Sequence, residues 1–187
     1  MILSDALCDI REQLLETGYF TDFFEFTSII ETNGVKRPMY FIDGENVVDV
    51  HDFDRGGSGY IRKTGNSYVR RANLPRVTAC SDYIIDLVIP LRGVFAVPKT
   101  KLGNDGFSNE LLVMELLGIF NKKQNAIQNI QKVEGRVTRY ETDRDKVFKD
   151  EVIESPNEPL LSLAYIYIDF ELVFTADVQC LKQECYG

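Results

Sequence analysis

Two stretches dominate the hydrophobic pattern of this chain: DYIIDLVIPLRGVFAVPK at 82–99 and LLSLAYIYIDFELVFTA at 160–176. Both are rich in β-branched and aromatic residues, the composition of strands. In the second run Ala164, Ile166, Ile168, Phe170, Leu172, Phe174 and Ala176 are all apolar, while the positions between them include Tyr165, Tyr167, Asp169, Glu171 and Thr175. A period of two predicts one buried face and one mixed face. At about 3.3 Å per residue either run reaches roughly 50 Å, so the rest of the chain is expected to be built around an oversized sheet.

Helical spacing is confined to two places. Leu7, Ile10, Leu14 and Leu15 recur as one stripe behind Ser4 and Asp5, with Gly18 as a stop, which predicts a helix over 4–17. Ser108 precedes a second apolar stripe built on Leu112, Leu116 and Ile119 and broadened by Leu111, Met114, Leu117 and Phe120. Its pattern extends past Lys122 and Lys123 through Ala126, Ile127 and Ile130 to Gly135. Between the first helix and the first long run, 23–30 (FFEFTSII) and 38–42 read as strands, and Asn33-Gly34 between them predicts a hairpin. The segment 43–76 is rich in Gly, Asp, Asn and Arg and reads as an extended hairpin or arm without a core of its own. The charged segment 134–159, ending in SPNEP, reads as a second excursion. The expectation is a single α+β domain over 1–187: an antiparallel or mixed sheet with long strands, packed by an N-terminal helix and one central helix, plus the arm.

Composition narrows the function classes. The chain of 187 residues can bury a sizeable core, and its net charge of -8 disfavours tight nonspecific nucleic-acid binding. Cys8, Cys80, Cys180 and Cys185 have no zinc-knuckle spacing, and His51 is the single histidine. They read as reduced thiols; for Cys180 and Cys185, five apart, a small disulfide loop is the alternative. The N-terminus lacks a basic n-region and a long apolar core, and no run of 18 uncharged apolar residues exists, so a cytoplasmic protein is expected, with no membrane contact.

Candidate chemistry is sparse. Asp43, Glu45, Asp49, Asp52 and Asp54 form an acidic cluster, but Arg55 places a cation inside the calcium-like DFDRGG stretch and no bidentate Glu follows at the needed distance. The same acids with His51 and Lys63 are the basis of an alternative reading as a metal-dependent nuclease. GGSGYIRKTG has the glycines of a phosphate cradle without its order, and reads as flexibility. No nucleophile elbow stands near His51. No catalytic residue, metal ligand or cofactor is therefore assigned, and the chain is expected not to be an enzyme. The one concentrated patch of bases and aromatics, Tyr60, Arg62, Tyr68, Arg70 and Arg71, suits a partner interface. A small adaptor domain that binds a partner through this hairpin is a further alternative.

In order, SDALCDIREQLL, FFEFTSII, DYIIDLVIPLRGVFAVPK, NELLVMELLGIF and LAYIYIDFELVFTAD give a helix, antiparallel strands, a long strand, a buried helix and a last long strand. This arrangement resembles the tail-terminator or tail-completion proteins of tailed bacteriophages, which form rings that cap the tail tube and join it to the head. The chain is longer than typical members through 43–76 and 134–159. The resemblance implies a virion protein assembled in the host cytoplasm, acting by homo-oligomerisation and by docking to tail-tube or connector neighbours. It also implies genome DNA passing through a lumen without specific binding, which an acidic lining would favour.

Overall fold

The computed structural model describes residues 2–32, 35–42, 46–49, 57–72, 84–102, 108–121, 123–124, 130–147 and 163–177. The fold is α+β with a mixed sheet. Its spine is the pair β7 (Ile84–Pro98) and β10 (Leu163–Asp177), antiparallel and paired without interruption from Leu163 opposite Pro98 to Asp177 opposite Ile84. Two strands of fifteen residues, each rich in β-branched and aromatic side chains, stay in register along their whole length, and the backbone groups that face away from this pair are met by β9 on one side and by β5 and β6 on the other.

Strand β10 lies between β7 and β9 (Ile130–Glu141), and β8 (Lys123–Gln124) closes that edge. On the other side of β7 run β5 (Gly57–Lys63) and β6 (Tyr68–Arg71), both antiparallel to it. Tyr60 stands opposite Val94 and Arg70 opposite Asp86, so β5 and β6 follow one edge of β7 in succession. The interruption at 64–67 lies beside Pro90, whose carbonyl accepts the Thr64 N–H at 3.2 Å. Strand β1 (Phe20–Phe24) adds to β5 in parallel, the one parallel pairing among the described strands. A second sheet, β2 (Ser28–Thr32), β3 (Val35–Ile42) and β4 (Asn46–Asp49), is antiparallel and shares no strand with the first.

The two sheets are separated at Phe26, which takes a left-handed backbone (φ 50). The predicted continuous strand at 23–30 is therefore two strands in two sheets. The predicted hairpin is present, with Thr32 opposite Val35, while Asn33 and Gly34 themselves lie outside the described residues. Just before β2 begins, the chain is tied to the large sheet through the Thr27 N–H, which donates to the Ile61 carbonyl at 2.8 Å.

Helix α1 (Ile2–Glu16) and helix α2 (Ser108–Phe120) cover one face of the large sheet. Ala6, Leu7, Ile10 and Leu14 of α1 and Leu112, Val113, Leu116 and Phe120 of α2 meet Ile89, Leu91, Phe95, Ile166, Ile168, Phe170 and Leu172. Each fully buried Leu, Ile or Phe in this layer contributes about 2 kcal/mol by transfer from water. Helix α1 stops where the Thr17 hydroxyl donates to the Leu14 carbonyl at 2.7 Å and Gly18 adopts φ 76.

Phe95 is the hub of this core. Its ring lies 5.4 Å from Phe20 and 5.7 Å from Phe120, and Phe120 in turn lies 4.5 Å from Phe170. It rests over two glycines: a Cβ on Gly59 would come within 2.5 Å of the ring, and one on Gly93 within 2.7 Å. Gly57, Ser58, Gly59, Tyr60 and Ile61 are all buried in β5, which corrects the reading of flexibility over that part of GGSGYIRKTG. These glycines make room for the Phe95 ring and, at Gly57, for the Tyr19 carbonyl.

Two further expectations change. Helix α2 ends at Phe120, and residues 130–141, read from sequence as helix and then excursion, form a strand paired with β10. The segment 57–72, assigned to an arm without its own core, runs along β7 within the sheet, and residues 43–45, 50–56 and 73–76 lie outside the described residues. The opposite face of β10 is also more buried than its alternation predicts. Tyr165 and Tyr167 join Tyr60, Val94, Ala96 and Leu163 in a second apolar cluster. That cluster is capped by Val147 from helix α3 (Arg144–Val147), where Asp143 Oδ1 accepts the Asp145 N–H at 3.1 Å.

Candidate interaction interface

The face of the large sheet turned away from α1 and α2 changes character along its length. At the Tyr60, Tyr165 end it is apolar; beyond Tyr167 it becomes a lattice of charges carried by β5, β6, β7, β10 and β9. Register creates the lattice, because directly opposed residues on neighbouring strands share a face.

The first charged row is Arg62, Arg92, Asp169 and Arg139, each opposite the next. Arg92 donates from Nε to Asp169 Oδ1 at 2.6 Å and from Nη2 to Oδ2 at 2.9 Å. Its guanidinium also lies 4.2 Å from the centre of the Tyr167 ring, with that of Arg139 at 5.7 Å. Asp169 thus stands between Arg92 and Arg139 in the row, with Arg62 on the far side of Arg92. A bulge at Thr138 makes this possible: pairing steps from Arg139 opposite Asp169 to Val137 opposite Phe170, and the Thr138 hydroxyl donates to the Asp169 carbonyl at 3.1 Å. The extra residue brings Arg136 and Arg139 to the same charged face.

The last row is Arg70, Asp86, Thr175 and Lys132. Asp86 is buried; Arg70 Nε donates to its Oδ2 at 3.3 Å and the Thr175 hydroxyl to its Oδ1 at 2.8 Å. Lys132 pairs with Glu134. Between these rows the Tyr68 hydroxyl donates to Glu171 Oε1 at 3.1 Å. Lost hydration, and then the Glu171 carboxylate, push the Tyr68 pKa up. Around this end the surface forms a depression of about 380 Å³ lined by Arg70, Arg71, Lys132 and Arg136 against Asp86 and Glu134. Cations exceed carboxylates here although the whole chain is acidic.

The five residues singled out from sequence are only partly brought together. Tyr68 is 44% exposed, Arg71 is exposed, and Arg62 and Arg70 are half-buried. Tyr60 is withdrawn from the set: it is 1% exposed and enclosed in the second cluster of its own chain, so no partner reaches it. Sequence reasoning missed Arg92, Asp169, Asp86, Thr175, Lys132 and Arg136, which complete the lattice. Asp86, Arg92 and Asp169, charges placed inside otherwise apolar strands, were the available signal.

Of the acidic cluster, Asp49 sits in β4 opposite Met39, and Asp43, Glu45, His51, Asp52 and Asp54 lie outside the described residues. Among the described residues no group of three or more His, Cys, Asp or Glu converges as for a metal ion. No described helix is long and apolar enough to cross a membrane. Cys8 is an exposed free thiol on α1. No protein-family model matches the chain and no curated protein matches it.

Proposed function

We propose that this protein is a non-enzymatic structural subunit of a bacteriophage tail or head-to-tail junction ring. In this reading it belongs to the virion, assembles in the host cytoplasm, and acts by association with copies of itself and with tail-tube or connector neighbours. The observation that carries the reading is the pair of unlike surfaces on one long sheet, with helices on one face and interleaved charge on the other. Binding sites for small molecules are concave, with apolar walls and few polar groups. A broad lattice of alternating charges suits instead the recognition of a macromolecular surface, where complementarity fixes register and partner choice.

The second sheet supports the same reading. Among the described residues its three short strands pair only with one another, and a sheet of that size needs an apolar face covered to be stable. Neighbouring subunits in a closed ring supply such cover and leave no edge open. The test is to add the purified protein to polymerising tail-tube protein from the same phage. Binding at tube ends, with growth arrested there, supports the reading; tubes that lengthen unchanged and carry no bound protein overturn it.

A further inference from the structure

We infer that the cationic depression on the open sheet face receives the acidic outer stripe of helix α1 from a second copy of this chain. The inference rests on the ring reading and gives it a specific contact. Asp5, Asp9, Glu12 and Glu16 are all exposed and follow one another at intervals of four, three and four residues, so they form a single line along the helix.

Within its own chain most of this line is unfavourable, Asp5 in the first turn being the member that the helix dipole favours. Asp5 and Asp9, and Glu12 and Glu16, are like charges one turn apart, and Glu16 lies in the last turn, where the helix dipole disfavours an acid and no base is present. The one base of α1, Arg11, lies close enough to Glu25 to oppose in part the rise that burial imposes on that residue's pKa. A local conflict of this type marks a surface selected for something other than the stability of the isolated fold.

The depression is its complement. Lys132 and Arg136 on β9 and Arg70 and Arg71 on β6 stand on opposite sides of it. Arg70 and Lys132 are engaged with Asp86 and Glu134, whereas Arg71 and Arg136 show no ion-pair partner among the described residues. From β6 to β9 the sheet spans three strand spacings, roughly 14 Å, and Asp5 to Glu16 spans roughly 16 Å of helix axis, so stripe and depression match in length. The two surfaces lie on opposite sides of the sheet, because α1 packs on the face turned away from the depression. A contact between them is head-to-tail and propagates from copy to copy, closing into a ring when the rotation permits.

Charge reversal tests the contact. Arg71→Glu/Arg136→Glu and Glu12→Lys/Glu16→Lys alter exposed positions, and circular dichroism verifies that each variant folds. Each double variant is expected to reduce the assembled fraction, read by mass photometry under conditions where the wild type assembles, by about tenfold or more. An equimolar mixture of the two restores association, since the acidic depression of one variant then faces the basic helix of the other. Variants that assemble like the wild type overturn the inference while leaving the ring reading intact; a mixture that fails to recover rules out α1 as the occupant. If monomeric wild type binds duplex DNA and the Arg71→Glu/Arg136→Glu variant loses that binding, the depression belongs to nucleic acid and the inference is wrong. A wild type that assembles neither alone nor with tail-tube protein defeats the ring reading itself.

Discussion

Arg92 and Asp169 face one another across β7 and β10 and are joined by two hydrogen bonds of 2.6 and 2.9 Å. Both side chains are mostly shielded from water, at 16% and 20% exposure, and Arg62 and Arg139 flank them. Removing the carboxylate leaves clustered guanidinium groups without compensation. Asp169→Ala is expected to lower unfolding free energy by about 3 kcal/mol, and Arg92→Leu/Asp169→Leu to recover most of that loss. Urea midpoints of the three proteins check this.

The Phe95 ring makes a second prediction. It fills the space above Gly59 and Gly93, so Phe95→Ala opens a cavity between α2, β1 and the centre of the sheet and costs about 4 kcal/mol. Gly93→Ala errs in the opposite direction, because its new Cβ would lie 2.7 Å from the ring, and is expected to cost about 2 kcal/mol. In the double variant Gly93→Ala/Phe95→Ala the glycine substitution is expected to lose most of its effect, since the atoms it meets are gone.

Thr175 holds the buried Asp86 by a single hydroxyl donor at 2.8 Å. Thr175→Val keeps the shape and removes the donor, with an expected cost of about 1.5 kcal/mol. Thr175→Ser, which retains the hydroxyl, is expected to cost less. Thermal unfolding of both variants distinguishes the lost donor from lost packing.

Two glutamates are expected to give opposite pH dependence. Burial raises the Glu25 pKa, against a smaller opposing effect of Arg11. The folded state then binds its proton more tightly than the unfolded one, so this stabilising effect is present at low pH and fades as pH rises through the folded value. Glu25→Gln is accordingly expected to be more stable than wild type at neutral pH and to lose that advantage in acid. Glu141 behaves in the reverse sense. The backbone N–H of Asp143, then that of Thr142, and the Lys146 ammonium hold its pKa below the ordinary glutamate value. Its contribution is present above the unfolded value and disappears as pH falls through the folded one, so Glu141→Gln is less stable than wild type at neutral pH and converges with it in acid. Denaturant titrations across pH 3 to 7, a span of roughly four units around the usual glutamate range, report both signs.

Much of the scaffold is legible in the sequence because its signals are local. The alternation at 164–176 marks β10, and the Leu7, Ile10, Leu14 stripe marks the buried side of α1. Other elements were hidden by distant contacts. Glycines at 57 and 59 look like a loop until the Tyr19 carbonyl and Phe95 ring occupy the places of their missing side chains. Residues 130–141 contain too few apolar positions to announce a strand, and become one because β10 offers its other edge for pairing. The charged face was harder still. It is assembled from single residues on β5, β6, β7, β9 and β10, and only register, together with the bulge at Thr138, aligns them.

The most direct measurement of the central claim is native mass spectrometry of the purified full chain with tail-tube protein, paired with electron microscopy of the same sample. The account predicts one closed homo-oligomer of defined copy number, seen as a ring seated on the tube end. A chain that stays monomeric, with bare tube ends in the images, contradicts it.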